Sequence, residues 1–162
     1  MLSRLSRCVL DGGSQSSFSV ASLIYDLKLQ AISERELTVC GFEAQSTQSS
    51  RRRLVRFNMK GVWTNSAVSI TAYVSTHALS AQPAVPQDVT TFAHARKLQL
   101  ADPKTYSQED VLVEILIGGD HYWKIVKNSP PIRISTSAVL IPTALGWKQV
   151  GNTHEFNCCE LY

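Results

Sequence analysis

The run Val111-Leu112-Val113-Glu114-Ile115-Leu116-Ile117-Gly118-Gly119-Asp120 constrains this chain more than any other stretch. Its near-continuous aliphatic character over strand length predicts a strand buried on both faces. The glycine pair behind it leaves space for another backbone to come close. A domain-length earlier, a shorter apolar run, Arg7-Cys8-Val9-Leu10, leads directly into Asp11-Gly12-Gly13-Ser14-Gln15-Ser16. There a buried strand delivers one carboxylate to a tight turn. Alone, Asp-Gly marks only a turn. If the later strand passes beside the earlier one, however, Gly118 gives the Asp11 loop room to pack against it.

A chain of 162 residues supports one domain with a real core, and 44% apolar with 18% charged residues describes an ordinary globular protein. No apolar run reaches the length that spans a bilayer, so no membrane partner is expected. A formal charge of +3 is mild, and nucleic acid is not demanded as a partner. The opening Met1-Leu2-Ser3-Arg4-Leu5-Ser6-Arg7 has the Arg/Ser flavour of an organelle transit peptide, but the strand toward Asp11 starts at once. The chain therefore reads as beginning just inside a domain. Cys8, Cys40, Cys158 and Cys159 make no C-x-x-C and read as reduced thiols of an intracellular, cytoplasmic protein. His77, His94, His121 and His154 are scattered, so a metal site is not expected.

Helical spacing of Val20, Leu23, Ile24 and Leu27 predicts a helix over 19–29, with Ser19 as N-cap. Strands are predicted over 36–42 and 51–59, joined by a polar linker into a hairpin, and again over 67–75. Arg51, Arg52 and Arg53 read as the basic arm of that hairpin, because no aromatic residues interleave as base stacking would require. The connection 80–110 is irregular apart from a short helix over 91–98, and a connection so long is more often functional than idle. A short helix over 121–126 follows the aliphatic run. Strands over 132–134, 138–141 and 145–150 close the chain, with a turn at Pro142-Thr143, and 152–162 carry no clear pattern. Gly13-Ser14-Gln15-Ser16 does not meet the G-x-S-x-G spacing of a nucleophile elbow.

Leu10-Asp11-Gly12-Gly13-Ser14-Gln15 with a following helix resembles the active-site loop of retropepsin-like aspartic peptidases. Ile115-Leu116-Ile117-Gly118 resembles their second hallmark, aliphatics and a glycine before a short helix. More narrowly, the wording is similar to the aspartic peptidase domain of Pao/BEL-type retrotransposon polyproteins, with its phrases L-D-S-G-S-Q, L-A-D-P, L-I-G-A-D-Y-Y-W and T-K-L-G-W. This chain carries Leu100-Ala101-Asp102-Pro103, Leu116-Ile117-Gly118-Gly119-Asp120-His121-Tyr122-Trp123 and Thr143-Ala144-Leu145-Gly146-Trp147 in the same order. The resemblance covers residues 7–151.

It implies a mainly β, retropepsin-like closed barrel with one or two short helices over 1–151, leaving 152–162 as an unassigned tail. With ten residues before Asp11, the additional N-terminal strand of that fold is expected to be missing. The resemblance also implies a homodimer that hydrolyses peptide bonds of an extended polyprotein substrate. The single Asp-Gly-Gly in the chain fits one Asp11 from each subunit. Two carboxylates so close cannot both ionise, so they share a proton; one activates water and the other hydrogen-bonds the scissile carbonyl. Gly12 and Gly13 complete the catalytic turn, and the resemblance implies catalysis without a metal or organic cofactor. Ser14, Gln15, Gly41, Phe42 and Gly118 would contact substrate or shape its site, with the 36–59 hairpin as flap. Gly12 stands where the family has Ser or Thr, whose hydroxyl ties the two loops together. The alternative is a catalytically inactive transposon-derived remnant, or a dimerising peptide-binding module of the same fold.

Overall fold

The computed structural model describes residues 2–40, 48–77, 79, 81–82, 85–102, 111–151 and 157–162. In chain order come β1 (Arg4–Leu10), β2 (Phe18–Val20), α1 (Ala21–Asp26), β3 (Ala31–Val39), β4 (Gln48–Gly61) and β5 (Ala67–Ser75). Then follow β6 (Ala81–Gln82), α2 (Gln87–Ala95), β7 (Val111–Ile117) and α3 (Gly119–Ile125). The chain finishes with β8 (Ile132–Arg133), β9 (Ala138–Thr143), β10 (Gly146–Gly151) and β11 (Asn157–Leu161).

The protein is mainly β, and six strands close on themselves. The order runs β1-β11-β4-β5-β2-β7, and β7 then pairs back onto β1. Alternation along these strands fills the interior. Cys8 and Leu10 of β1, Val55, Phe57 and Met59 of β4, Ile70, Ala72 and Val74 of β5, and Ile115 and Ile117 of β7 all lie in one buried cluster. Each large aliphatic side chain so buried contributes about 1.5–3 kcal/mol. β7 is less symmetric than its composition predicts. Val113, Ile115 and Ile117 are buried, but Leu112 is 59% exposed and Glu114 is held by Arg4 Nη2 and the Ser6 hydroxyl, both at 2.7 Å.

A second layer consists of the three-stranded sheet β8-β9-β10 with α2, around Val89, Ala93, Leu100 and Leu140. It joins the barrel through two of the phrases noted above. Ala101 N donates to Trp147 O at 2.9 Å, and Trp147 N donates to Gln99 O at 2.8 Å. Gly146 makes this contact possible: it sits at φ +123°, and a Cβ there would lie 2.9 Å from both Gln99 O and Ala101 N. Ala101 and Leu145 reach from this layer into the barrel core.

Several local expectations change. The segment 19–29 is a strand before it is a helix: β2 fits between β5 and β7, and Ser19 is fully buried in it instead of capping α1. Val20 takes the cap position without a side-chain bond, and Lys28 at φ +52° stops the helix. Strand pairing to two neighbours outweighs a helical pattern of this length. α2 spans Gln87–Ala95 instead of 91–98, starting directly after Pro86. α3 begins at Gly119, and the described residues hold three short helices where one or two were expected. Pro142 is not in a turn; it pairs with Trp147 inside β9, beyond the part of that strand that β8 covers. Residues 157–161 are no tail but a barrel strand, with β1 on one side and β4 on the other. No helix among the described residues is long and apolar enough to cross a membrane.

Candidate active site

β1 and β7 run parallel and end together, with Leu10 opposite Ile117. β2 flanks β7 on its other side, antiparallel, with Phe18 opposite Leu116. The loop from Asp11 to Ser17 therefore straddles the end of β7, where Gly118 lies. Asp11 N donates to Ile117 O at 2.8 Å, and Gly119 N donates to Ser14 O at 2.7 Å. A Cβ on Gly118 would fall 2.5 Å from Ser16 O and 2.9 Å from Ser14 O. No side chain fits there. The two runs singled out from the sequence are brought together, and the glycine leaves the room the loop occupies.

Asp11 itself is exposed, directly after the end of β1. Its Oδ1 accepts the Gly13 amide at 3.0 Å, which orients the carboxylate over its own turn. A Cβ on Gly13 would meet that same oxygen at 3.3 Å, so glycine keeps the carboxylate uncrowded. Gly12 differs: the nearest atoms to a Cβ there belong to the Tyr122 ring, at 3.6 Å, an ordinary contact.

The loop is also gripped from α3. Asp120 accepts the Ser17 amide at 3.1 Å and the Ser17 hydroxyl at 2.6 Å, while that hydroxyl accepts the Gly118 amide at 3.0 Å. His121 continues the pattern where β2 has not yet begun. Tyr73 N donates to Ser17 O at 2.9 Å, and two residues earlier Thr71 N donates to His121 Nε2 at 3.1 Å. The imidazole thus extends the ladder on β5. Burial holds its pKa below the ordinary value; the Asp120 carboxylate opposes this and the Lys124 ammonium, 3.1 Å from Nδ1, reinforces it.

Three further charged side chains lie buried nearby: Lys148, Arg7 and Asp102. Lys148 of β10 is 2% exposed, and its Nζ donates to Leu10 O at 3.1 Å. Arg7 Nη2 lies 3.0 Å from an Asp102 carboxylate oxygen, with both side chains buried. Burial raises the Asp102 pKa, and the Arg7 guanidinium pulls against that rise. The phrase Leu100-Ala101-Asp102 thus supplies a buried ion pair to β1.

Comparison with protein-family models, characterised proteins and solved structures finds no match. The site is therefore described by its own geometry.

Of the remaining predicted residues, Ser14 lies against the loop, its hydroxyl donating to Ser16 O at 3.0 Å, and Gln15 is exposed. Gly41 and Phe42 lie outside the described residues. The hairpin that leads to them, β3 with β4, pairs antiparallel from Ala31↔Val55 to Val39↔Gln48. Glu36 stands opposite Arg51, Glu34 opposite Arg53, and Arg51 Nε lies 3.1 Å from Glu34. The triple arginine is thus partly charge-balanced by its own hairpin. Among the described residues no three His, Cys, Asp or Glu side chains converge as a metal-ligand set.

Sequence reasoning passed over Asp120, His121, Ser17 and Lys148. Asp120 and His121 had a signal, since they follow the glycine pair that ends the aliphatic strand. Ser17 and Lys148 had none, because their partners depend on chain-distant pairing.

Proposed function

We propose that this chain is a retropepsin-like aspartic endopeptidase, similar to those of Pao/BEL-type retrotransposon polyproteins, in which two copies each contribute Asp11. The observation that supports the proposal is the seating of the Asp11 loop on Gly118, which holds one carboxylate where β1 and β7 of the closed barrel end together. An isolated carboxylate cannot both activate water and protonate a carbonyl; a pair related by a two-fold axis can. Asp11, Gly12 and Gly13 are exposed, and so is Trp123, at 78%, on the helix that backs the loop. A second copy would cover this exposed surface, Trp123 included, while bringing its own Asp11 alongside.

In this reading the paired carboxylates share one proton. The ionised oxygen takes a proton from water as that water attacks the scissile carbonyl, and the protonated partner donates to the carbonyl oxygen. The substrate is an extended peptide, held by main-chain bonds near Ser14 and Gln15 and covered by the β3–β4 hairpin. The test is cleavage of a peptide library at mildly acidic pH, with Asp11→Asn as control. Pepstatin-sensitive cleavage that vanishes in the variant is the expected result; no cleavage at any pH counts against an enzyme.

One observation favours a second reading, a non-catalytic dimerising or peptide-binding module of the same fold. Gly12 brings no hydroxyl to tie two loops together, which removes hydrogen bonds worth about 1 kcal/mol each. Peptide binding that survives Asp11→Asn without turnover would identify that module.

A further inference from the structure

We infer that Lys148 is a positioning residue for the Asp11 carboxylate, acting through the peptide group that joins Leu10 to Asp11. Its consequence for rate rests on the peptidase reading above, whereas its consequence for the backbone does not.

That peptide group is held at both ends. Its oxygen, on Leu10, accepts the Lys148 ammonium at 3.1 Å, and its N–H, on Asp11, donates to Ile117 O at 2.8 Å. A peptide plane fixed on both edges cannot rotate without breaking one of the two bonds. The bond from a charged donor is the stronger kind, and it polarises the amide so that the N–H on the far edge donates better. Asp11 then passes the orientation onward, because its Oδ1 accepts the Gly13 amide at 3.0 Å.

The choice of residue supports the assignment. An ammonium that is 2% exposed carries a large desolvation cost, which a methionine or leucine filling the same volume would avoid. Lys148 arrives there because Gly146, at φ +123°, lets β10 lie directly against residues 99–101. The lysine thereby links the outer sheet to the strand that carries the carboxylate.

The experiment compares wild type with Lys148→Met and Lys148→Arg by amide hydrogen exchange and by peptide-cleavage kinetics. In Lys148→Met the Asp11 amide is expected to exchange about tenfold faster, while the Phe57 and Ile70 amides keep their protection. kcat should fall about tenfold with KM changed less than about twofold, and Lys148→Arg should recover part of both losses. Unchanged exchange at Asp11, or equal loss at Phe57 and Ile70, would overturn the inference. Should Lys148→Met not fold, the wild type decides it: the Lys148 ammonium protons should be protected and coupled across the hydrogen bond to the Leu10 carbonyl carbon. Solvent-like exchange of those protons would refute it. A chain that cleaves no peptide but shows the exchange pattern would retire the peptidase reading and leave Lys148 in its role.

Discussion

Asp120 holds Ser17 by two hydrogen bonds, 3.1 Å from its amide and 2.6 Å from its hydroxyl. Because the same hydroxyl accepts the Gly118 amide at 3.0 Å, one carboxylate on α3 locks the end of the Asp11 loop to the end of β7. Ser17→Ala leaves a buried amide at Gly118 without its acceptor and should cost about 1–3 kcal/mol. Asp120→Ala, which frees both Ser17 bonds, should cost a similar amount. Urea denaturation of both variants and of the double variant checks this. Because the two residues act as one unit, the double loss should be well below the sum of the single losses. Full additivity would mean the clamp is not a unit.

The two glycines nearest the carboxylate should respond in opposite ways. Gly118→Ala forces a methyl to within 2.5 Å of Ser16 O, so the loop must move, at a cost of about 1–3 kcal/mol or more. In Gly12→Ser the nearest atoms to the new Cβ are those of the Tyr122 ring, at 3.6 Å, an ordinary contact. Restricting the unfolded chain should then stabilise the protein by about 0.4–1 kcal/mol. Under the proposed function, the new hydroxyl should also strengthen self-association. Denaturation midpoints and sedimentation equilibrium read both effects. A Gly12→Ser protein less stable than its parent would contradict the open space beside Tyr122.

His121 gives the fold a pH dependence with a defined sign. Its folded pKa lies below the ordinary 6.5, chiefly through burial. Below that value the unfolded chain takes a proton that the folded ring refuses, so stability is complete above about pH 6.5 and is lost on acidification. Asp120, 4.0 Å from Nε2, moderates the effect, and Lys124 on the other ring nitrogen adds to it. The Thr71 backbone hydrogen bond also works against the lowering, and the Thr71 hydroxyl lies 2.9 Å from Nε2. Urea midpoints measured between about pH 7.5 and 5 should fall for the wild type and fall less for His121→Gln. Equal slopes for the two proteins would show that another group controls the decline.

What the sequence made legible is what depends on short runs. The aliphatic pattern ending in Ile117-Gly118, and the apolar approach to Asp11, located both halves of the site. Their juxtaposition followed from one consideration, that a glycine after a buried strand leaves room for a neighbour. Elements decided by partners were harder to read. Ser19 and Val20 open a segment with the spacing of a helix, yet they lie in strand β2 because β5 and β7 leave a place between them. Asn157-Cys158-Cys159-Glu160-Leu161 has no alternation to advertise a strand, and its two neighbours, β1 and β4, lie far away in the chain. Lys148 was invisible for a related reason: a lysine in a short closing strand reads as solvated until the sheet beneath it is known.

Whether two subunits share one proton can be read from a crystal structure of the self-associated protein, in the distance between the two Asp11 carboxylates. Facing loops are expected, with nearest carboxylate oxygens about 3 Å apart, close enough to share a hydrogen. Dimers that leave each Asp11 facing solvent, beyond any reach of its mate, would contradict it.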